Sequence, residues 1–267
     1  MDSAAPKRKP RVCAVSYLNT TPLVYGFIEG PQKGSVDLSF AVPSICAERS
    51  ASRVVDIGLN PVIEVATQGF AWLPGTGIAC RGTVRSILLV SRKPFDEVRT
   101  LAADIGSRTS VLLARIVLQR KYNVEPALLP MAPDLPNMLA QADAALLIGD
   151  NALRVEPTDL NHICLDLGEE WQELTGLPMV FAVWSGHKDV CRPDMDKLFR
   201  ASAEYGVSHI ERIIERESEQ RGLPEWLVRA YLTRSVHFLL DEADRRGLWT
   251  FLRHAGELQP ALLAERR

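Results

Sequence analysis

The chain has 267 residues, 46% of them hydrophobic and 24% charged, with a formal net charge of −2. This is enough for one large domain or two modest ones, and the balanced charge argues against a polyanionic partner such as nucleic acid. No apolar run is long enough to cross a bilayer, and no apolar segment follows the basic cluster Lys7, Arg8, Lys9 and Arg11, so the first eleven residues read as a disordered tail and not as a secretory signal.

In chain order, short apolar runs alternate with helical patterns. RVCAVSY (11–17) reads as a strand. PLVYGFIEG (22–30) reads as a short helix stopped at Gly30, with Thr21 as N-cap and Pro22 as first residue. VDLSFAVP is a second strand, PSICAERSASR a helix with Pro43 in its first turn, and VDIGLNPV (55–62) a third strand. This β-α-β-α-β order predicts a parallel or mixed sheet with crossover helices. SILLVSRKP (86–94) is a strand and turn. Residues 101–124 supply a short strand, a polar turn and an amphipathic helix on which Leu112, Leu113, Ile116 and Val117 share a face. DAALLIGDNALRV (143–155) is a buried strand with a polar exit, and GLPMVFAVWSG (176–186) a strong late strand. From Arg192 to Gly222 the pattern is helical, and residues 223–258 supply two more helices, whose Trp226, Tyr231, Phe238, Trp249 and Phe251 read as core. The pattern predicts an α/β fold of two lobes. Residues 1–85 plus 184–267 form the first, residues 86–183 an inserted second, and the strands SILLV and MVFAVW cross between them. A ligand cleft lies at the crossings.

The five cysteines, Cys13, Cys46, Cys80, Cys164 and Cys191, include no C-x-x-C pair. They read as small apolar fillers in a reducing compartment, which makes a cytoplasmic location the default. The five histidines have no metal-ligand spacing, so no metal site is expected.

Four strand exits carry polar or turn-forming residues, where ligands sit in open α/β sheets. They are the run Ser16-Tyr17-Leu18-Asn19-Thr20-Thr21, the pair Pro43-Ser44, the turn Gly106-Ser107-Arg108-Thr109-Ser110, and Gly149-Asp150-Asn151. A helix N-terminus offers free N–H groups and about half a positive charge. Ser107, Thr109 and Ser110 at such an end suit an anion, and Arg108 is either a bidentate clamp on a carboxylate or a surface charge. Two such ends face to face suit a small dicarboxylate. Capping alone explains Thr21 or Ser107 taken singly; Ser16 and Asn19 exceed what a cap requires. No G-x-G-x-x-G, Walker loop, H-E-x-x-H or G-x-S-x-G occurs. Hydroxyls, amides and one arginine, with Asp150 the nearest acid, suit binding, or a reaction in which the substrate supplies much of the chemistry.

Seven segments in order carry a family resemblance: VSYLNTTPL, VDIGLNPVIEV, SILLVSRKP, SRTSVLLARI, ALLIGDNAL, DLGEEWQELTGLPMVFAVW and YLTRSVHFLLDEADRRGL. Together, from about Arg11 to Leu258, the chain resembles the menaquinone-biosynthesis chorismate dehydratases of the futalosine route. The resemblance implies a periplasmic-binding-protein type II-like fold used as a cytoplasmic enzyme without a cofactor. It implies conversion of chorismate to 3-[(1-carboxyvinyl)oxy]benzoate and water. A sister enzyme, the 1,4-dihydroxy-6-naphthoate synthase, is similar in the first segment but carries a histidine after the strand that matches ALLI; here Gly149 and Asp150 follow. A non-catalytic small-carboxylate binding protein is the reading from a different class. Asn60 stands where many relatives have an aliphatic residue, and Glu64 and Glu170 lie in family-like segments; none is assigned a role.

On this resemblance the proton on ring C3 and the C4 hydroxyl leave chorismate, and the ring becomes aromatic. The Ser107–Ser110 helix end, with Arg108, holds the ring carboxylate and stabilises developing charge. The enolpyruvyl carboxylate of the substrate takes the C3 proton, an orientation effect, with Asp150 as the competing base or acid. Asn19 fixes the enolpyruvyl arm or polarises the departing hydroxyl. Ser86 holds a carboxylate, and Ser16, Tyr17, Ser44 and Gly149 complete the contacts to this small anionic substrate.

Overall fold

The computed structural model describes residues 8–104, 106–159 and 161–259. Its first part runs β1 (Arg11–Val15), α1 (Thr21–Ile28), β2 (Asp37–Ala41), α2 (Pro43–Ala51), β3 (Ile57–Pro61), α3 (Ile63–Thr67) and β4 (Ala71–Cys80). The middle comprises β5 (Ile87–Ser91), β6 (Thr100–Asp104), α4 (Arg108–Tyr122), β7 (Ala127–Met131), α5 (Leu135–Gln141), β8 (Ala144–Ile148), α6 (Gly149–Leu153), β9 (Ile163–Asp166) and α7 (Leu167–Thr175). The chain closes with β10 (Met179–Gly186), α8 (Pro193–Ser208), α9 (Ile210–Arg221), α10 (Glu225–Ala230), β11 (His237–Leu239) and α11 (Glu242–Leu258).

The strands form two sheets, ordered β11-β4-β10-β3-β1-β2 and β7-β6-β8-β5-β9. The β-α-β-α-β order expected at the start is present, with β1 parallel to both β2 and β3. β6 is parallel to β7 and β8, whereas β5 is antiparallel to β8 and β9. Both sheets are therefore mixed. β10 corrects the reading of MVFAVW as a crossing. It pairs antiparallel with β3 and β4 along its length and lies wholly in the first sheet. The chain passes to the second sheet through residues 81–86 and returns ahead of Met179. We propose lobes that follow the sheets, with the second boundary at the Gly176–Pro178 turn instead of at 183/184.

The side-chain period of two decides what β5 buries. Ile87 and Leu89 join the main core, while Leu88 and Val90 join a smaller cluster with Ala102, Leu147 and Met138 on the other face of the second sheet. Leu112, Leu113, Ile116 and Val117 of α4 enter the main core, as the helical spacing predicts. Each such residue contributes roughly 1.5–3 kcal/mol when fully buried. α1 packs against α8 at Gly206, where a Cβ would overlap the Pro22 carbonyl oxygen.

Several expectations need correction. The helical run 192–222 is two helices that break at His209. Residues 223–258 hold α10, a π-helical turn at Tyr231–Ser235, β11 and α11, not two helices alone. Tyr231, Phe238 and Phe251 are buried, but Trp226 and Trp249 are 64% and 56% exposed. In α11 the buried face runs through Gly247, Leu248, Phe251, Leu252 and Ala255. Trp249 lies one residue, or about 100°, off that stripe. Of the N-terminal basic cluster, Lys7 lies outside the described residues. Arg8 and Arg11 are not a loose tail: both pair with Asp56, at 3.0 and 3.1 Å.

Candidate functional site

The carboxyl ends of β1, β6 and β8 lead into one cleft between the sheets. Its walls include Val15, Pro61, Ile78, Ile87, Ile148 and Phe181, and its polar lining comes from Tyr17, Asn19, Ser86, Ser107, Arg108, Thr109, Ser110 and Gly149. The empty space amounts to about 560 Å³, including the part that opens to solvent. Four separate chain segments thus bring eight of the sequence-predicted residues together.

The exit from β1 builds the first wall. Leu18–Thr20 form a single 3-10 turn that leads directly into α1. The N-cap position of α1 is Thr20, and no side chain caps it, so the expected Thr21–Pro22 cap is replaced by this continuous turn. Asn19 is 9% exposed. Its Nδ2 donates to the Tyr231 hydroxyl at 2.8 Å, and its Oδ1 has no partner among the described residues.

Ser86 arrives from the segment that links the sheets. Arg85 sits in the left-handed region at φ 66°, a conformation that costs a residue with a Cβ roughly 1–2 kcal/mol. The surroundings over-determine it. Asp166 accepts from the Val84 and Arg85 N–H groups at 2.9 and 2.6 Å, and the Arg85 guanidinium donates to the Ala152 and Val155 carbonyls at 3.1 and 2.6 Å. Ser86 Oγ then accepts from the Tyr231 hydroxyl at 2.9 Å. Its carbonyl accepts from Gly149 N–H at 2.8 Å. Gly149 has φ 57°, and a Cβ there would press into the Tyr17 ring at 2.8 Å, so only glycine lets that ring lie against β8.

Opposite stands the N-terminus of α4. Ser107 occupies the N-cap position but makes no side-chain cap bond, so its hydroxyl is not committed to the helix. The first N–H groups of a helix lack partners within it, and Ser107, Thr109 and Ser110 are buried around them. Arg108 reaches Glu64 Oε1 at 2.9 Å. Glu64 is nearly fully buried, so Arg108 neutralises a buried carboxylate at the rim of the cleft. Burial pushes the Tyr17 phenol up, and the Asp104 and Asp150 carboxylates push it further. It stays a neutral donor. Burial also raises the Asp104 carboxyl, against one hydrogen bond from Gly106 N–H.

Three expected contacts do not line the cleft. Asp150 accepts from Leu18 N–H at 3.0 Å and pairs with Arg221. Its carboxylate ties the β1 exit to the end of β8. Ser16 is exposed, and its carbonyl accepts from Arg221 at 3.2 Å. Ser44 is the second residue of α2 and half-buried outside the cleft. Among the family-like acids, Glu170 pairs with Lys121. Asn60 is completely buried and bonded to Ser50 and Ser185, a structural knot in the first sheet and not a cleft group. The side chain behind the cleft that sequence reasoning missed is Tyr231, whose hydroxyl bonds Asn19 and Ser86. Its helical spacing marks it as core, and it is buried; nothing in the local sequence signals the bonds of its hydroxyl. Among the described residues, no three His, Cys, Asp or Glu side chains group as a metal would require, and no helix is long and apolar enough to cross a membrane.

Two mixed sheets flanked by helices, with a cleft at the strand ends, define a periplasmic-binding-protein-like fold. The periplasmic aliphatic sulphonate binding protein SsuA of Escherichia coli superposes with a TM-score of 0.63 at 14% identity, over 98% of this chain and 90% of that one. The family model described as menaquinone biosynthesis matches residues 10–257, and the chain belongs to that family. It is similar to the chorismate dehydratase of Thermus thermophilus, with 27% identity over 200 residues, 69% of this chain and 73% of that protein. It is also similar to the chorismate dehydratase of Campylobacter jejuni, with 25% identity over 238 residues, 89% of each.

Proposed function

We propose that the protein is a chorismate dehydratase that forms 3-[(1-carboxyvinyl)oxy]benzoate and water in the futalosine route to menaquinone. One observation supports this reading within the family: the open N-terminus of α4 shares a single apolar-walled cleft with Asn19 and Ser86, which the Tyr231 hydroxyl bridges. A dicarboxylate with one polar ring hydroxyl suits that arrangement. The α4 N–H groups, with Ser107 and Ser110, hold the ring carboxylate. Charge that develops on it as C3–H breaks is stabilised by donors already in place. Arg108 tunes this end from the rim, held by Glu64.

The C3–H pair of electrons enters the ring as the C4–O bond breaks. The enolpyruvyl carboxylate takes the C3 proton and passes it to the departing C4 hydroxide, which leaves as water, so the carboxylate ends as it began. The enzyme contributes orientation, worth up to about 7–11 kcal/mol in well-aligned systems. The engagement of Asp150 by Leu18 and Arg221 supports this substrate-assisted route over a protein carboxylate base.

Incubating purified protein with chorismate and following the aromatic product by chromatography tests the reading. Turnover to 3-[(1-carboxyvinyl)oxy]benzoate is expected. Unchanged chorismate would sink it, and would point to the sister naphthoate synthase or to a binding protein.

A further inference from the structure

The hydroxyl of Tyr231 occupies an unusual place for a core aromatic. The residue is 1% exposed and opens the π-helical turn Tyr231–Ser235 at the end of α10. π turns inside helices recur at functional sites. Here the hydroxyl lies between Asn19 Nδ2 at 2.8 Å and Ser86 Oγ at 2.9 Å. It thereby links the β1 exit, the inter-sheet segment and the C-terminal helices.

The directions of these bonds follow from the amide nitrogen that Asn19 turns toward the phenol. An amide nitrogen only donates, so the phenol oxygen accepts from Asn19. The single phenol proton then goes to Ser86 Oγ. That oxygen, once it accepts, turns its own proton elsewhere, and Ser86 lines the cleft. On the other side, with Nδ2 engaged, Asn19 has the buried Oδ1 without a partner among the described residues. Burial pushes the Tyr231 phenol well above its ordinary range, against the opposing bonds to Ser86 and Asn19. The proton that orients Ser86 is therefore present at every working pH.

We propose that Tyr231 is a positioning residue that sets the polarity of the substrate contacts. Through it Ser86 presents a donor, which suits a carboxylate oxygen, and Asn19 presents a carbonyl acceptor, which suits the substrate hydroxyl. This rests on the dehydratase reading above. It adds a discrimination rule: a ligand must offer an acceptor to Ser86 and a donor to Asn19. An analogue of chorismate methylated on the C4 oxygen offers Asn19 no proton and binds poorly.

The test is a double-mutant cycle with chorismate, measuring kcat and KM per folded enzyme, with folding checked by circular dichroism and thermal melting. Tyr231→Phe keeps the ring and removes only the hydroxyl. It is expected to lower kcat about 10- to 100-fold, the usual effect of losing a group that orients a contact residue, with KM changed less. In a Ser86→Ala background the same substitution should cost only a small part of that factor, because the donor it orients is gone. A purely structural role predicts equal, multiplying losses in both backgrounds. Full multiplication overturns the proposal, as does unchanged kcat in Tyr231→Phe. Either result with active wild-type enzyme overturns this inference alone. Wild-type protein that leaves chorismate unchanged overturns the dehydratase reading and this inference with it.

Discussion

Asp150→Asn separates an anchor from a base. The carboxylate accepts from Leu18 N–H at 3.0 Å and pairs with Arg221, which also donates to the Ser16 carbonyl at 3.2 Å. Both side chains are about one-fifth exposed, at 18% and 22%. Two unit charges about 3 Å apart attract by roughly 5–6 kcal/mol at an effective dielectric of about 20. Desolvation and partial exposure offset most of that, and a net contribution of about 1–3 kcal/mol remains. Asparagine keeps the acceptor for Leu18 but loses the charge. The midpoint of thermal unfolding should therefore drop by roughly 2–4 °C for each kcal/mol lost. Because the bond holds the turn that carries Asn19, a modest fall in kcat, under about 10-fold, accompanies it. The assays are differential scanning calorimetry and chorismate turnover on the same preparation. If Asp150→Asn abolished turnover while melting and substrate binding stayed at wild-type values, the carboxylate would be the proton acceptor and the anchor account would be wrong.

Three further outcomes follow from the packing. Asn60→Ala removes the buried partner of the Ser185 hydroxyl and carbonyl and one of the two partners of the Ser50 hydroxyl, which keeps its bond to the Cys46 carbonyl; chemical denaturation should show a loss of about 1–3 kcal/mol, with turnover of the folded enzyme unchanged. Gly206→Ala drives a methyl into the Pro22 carbonyl and separates α1 from α8; a loss of about 1–3 kcal/mol is expected, and an unshifted melting curve would contradict the close approach. Asp56 responds to pH: burial raises its carboxyl, but bonds from the Arg11 side chain and backbone and from Arg8 outweigh this and bring it from 3.8 to about 2. The folded-state value is depressed, so this stabilisation is complete above about pH 4 and disappears as pH falls through about 2. The stability gap between wild type and Asp56→Asn should therefore shrink across that window in urea titrations, from about 1–2 kcal/mol toward zero.

Much of the fold was legible because local rules wrote it. Short apolar runs marked β1, β2, β3, β5, β8 and β10, and the stripe of Leu112, Leu113, Ile116 and Val117 marked α4. The segment 71–80 was not read, because Pro74, Gly75 and Gly77 interrupt the apolar run that identifies a strand. Its partner β10 supplies what its own sequence does not. Trp226 and Trp249 were misread because residue type outweighed phase: large aromatics look like core until the stripe around them is counted.

By itself the sequence determined the opening β-α-β-α-β order, the polar exit at Asn19 and the helix end at Ser107–Ser110, since strand period, helix phase and the free N–H groups of a helix start are short-range properties. Only the tertiary structure decided what those groups do. Asn19 and Tyr231 are 212 residues apart, Ser86 and Tyr231 are 145 apart, and Asp150 and Leu18 are 132 apart. Such bonds have no local signature. They exist because two sheets and the C-terminal helices pack around one cleft, and a buried hydroxyl or carboxylate must find its partner there or bear the cost of lost solvation.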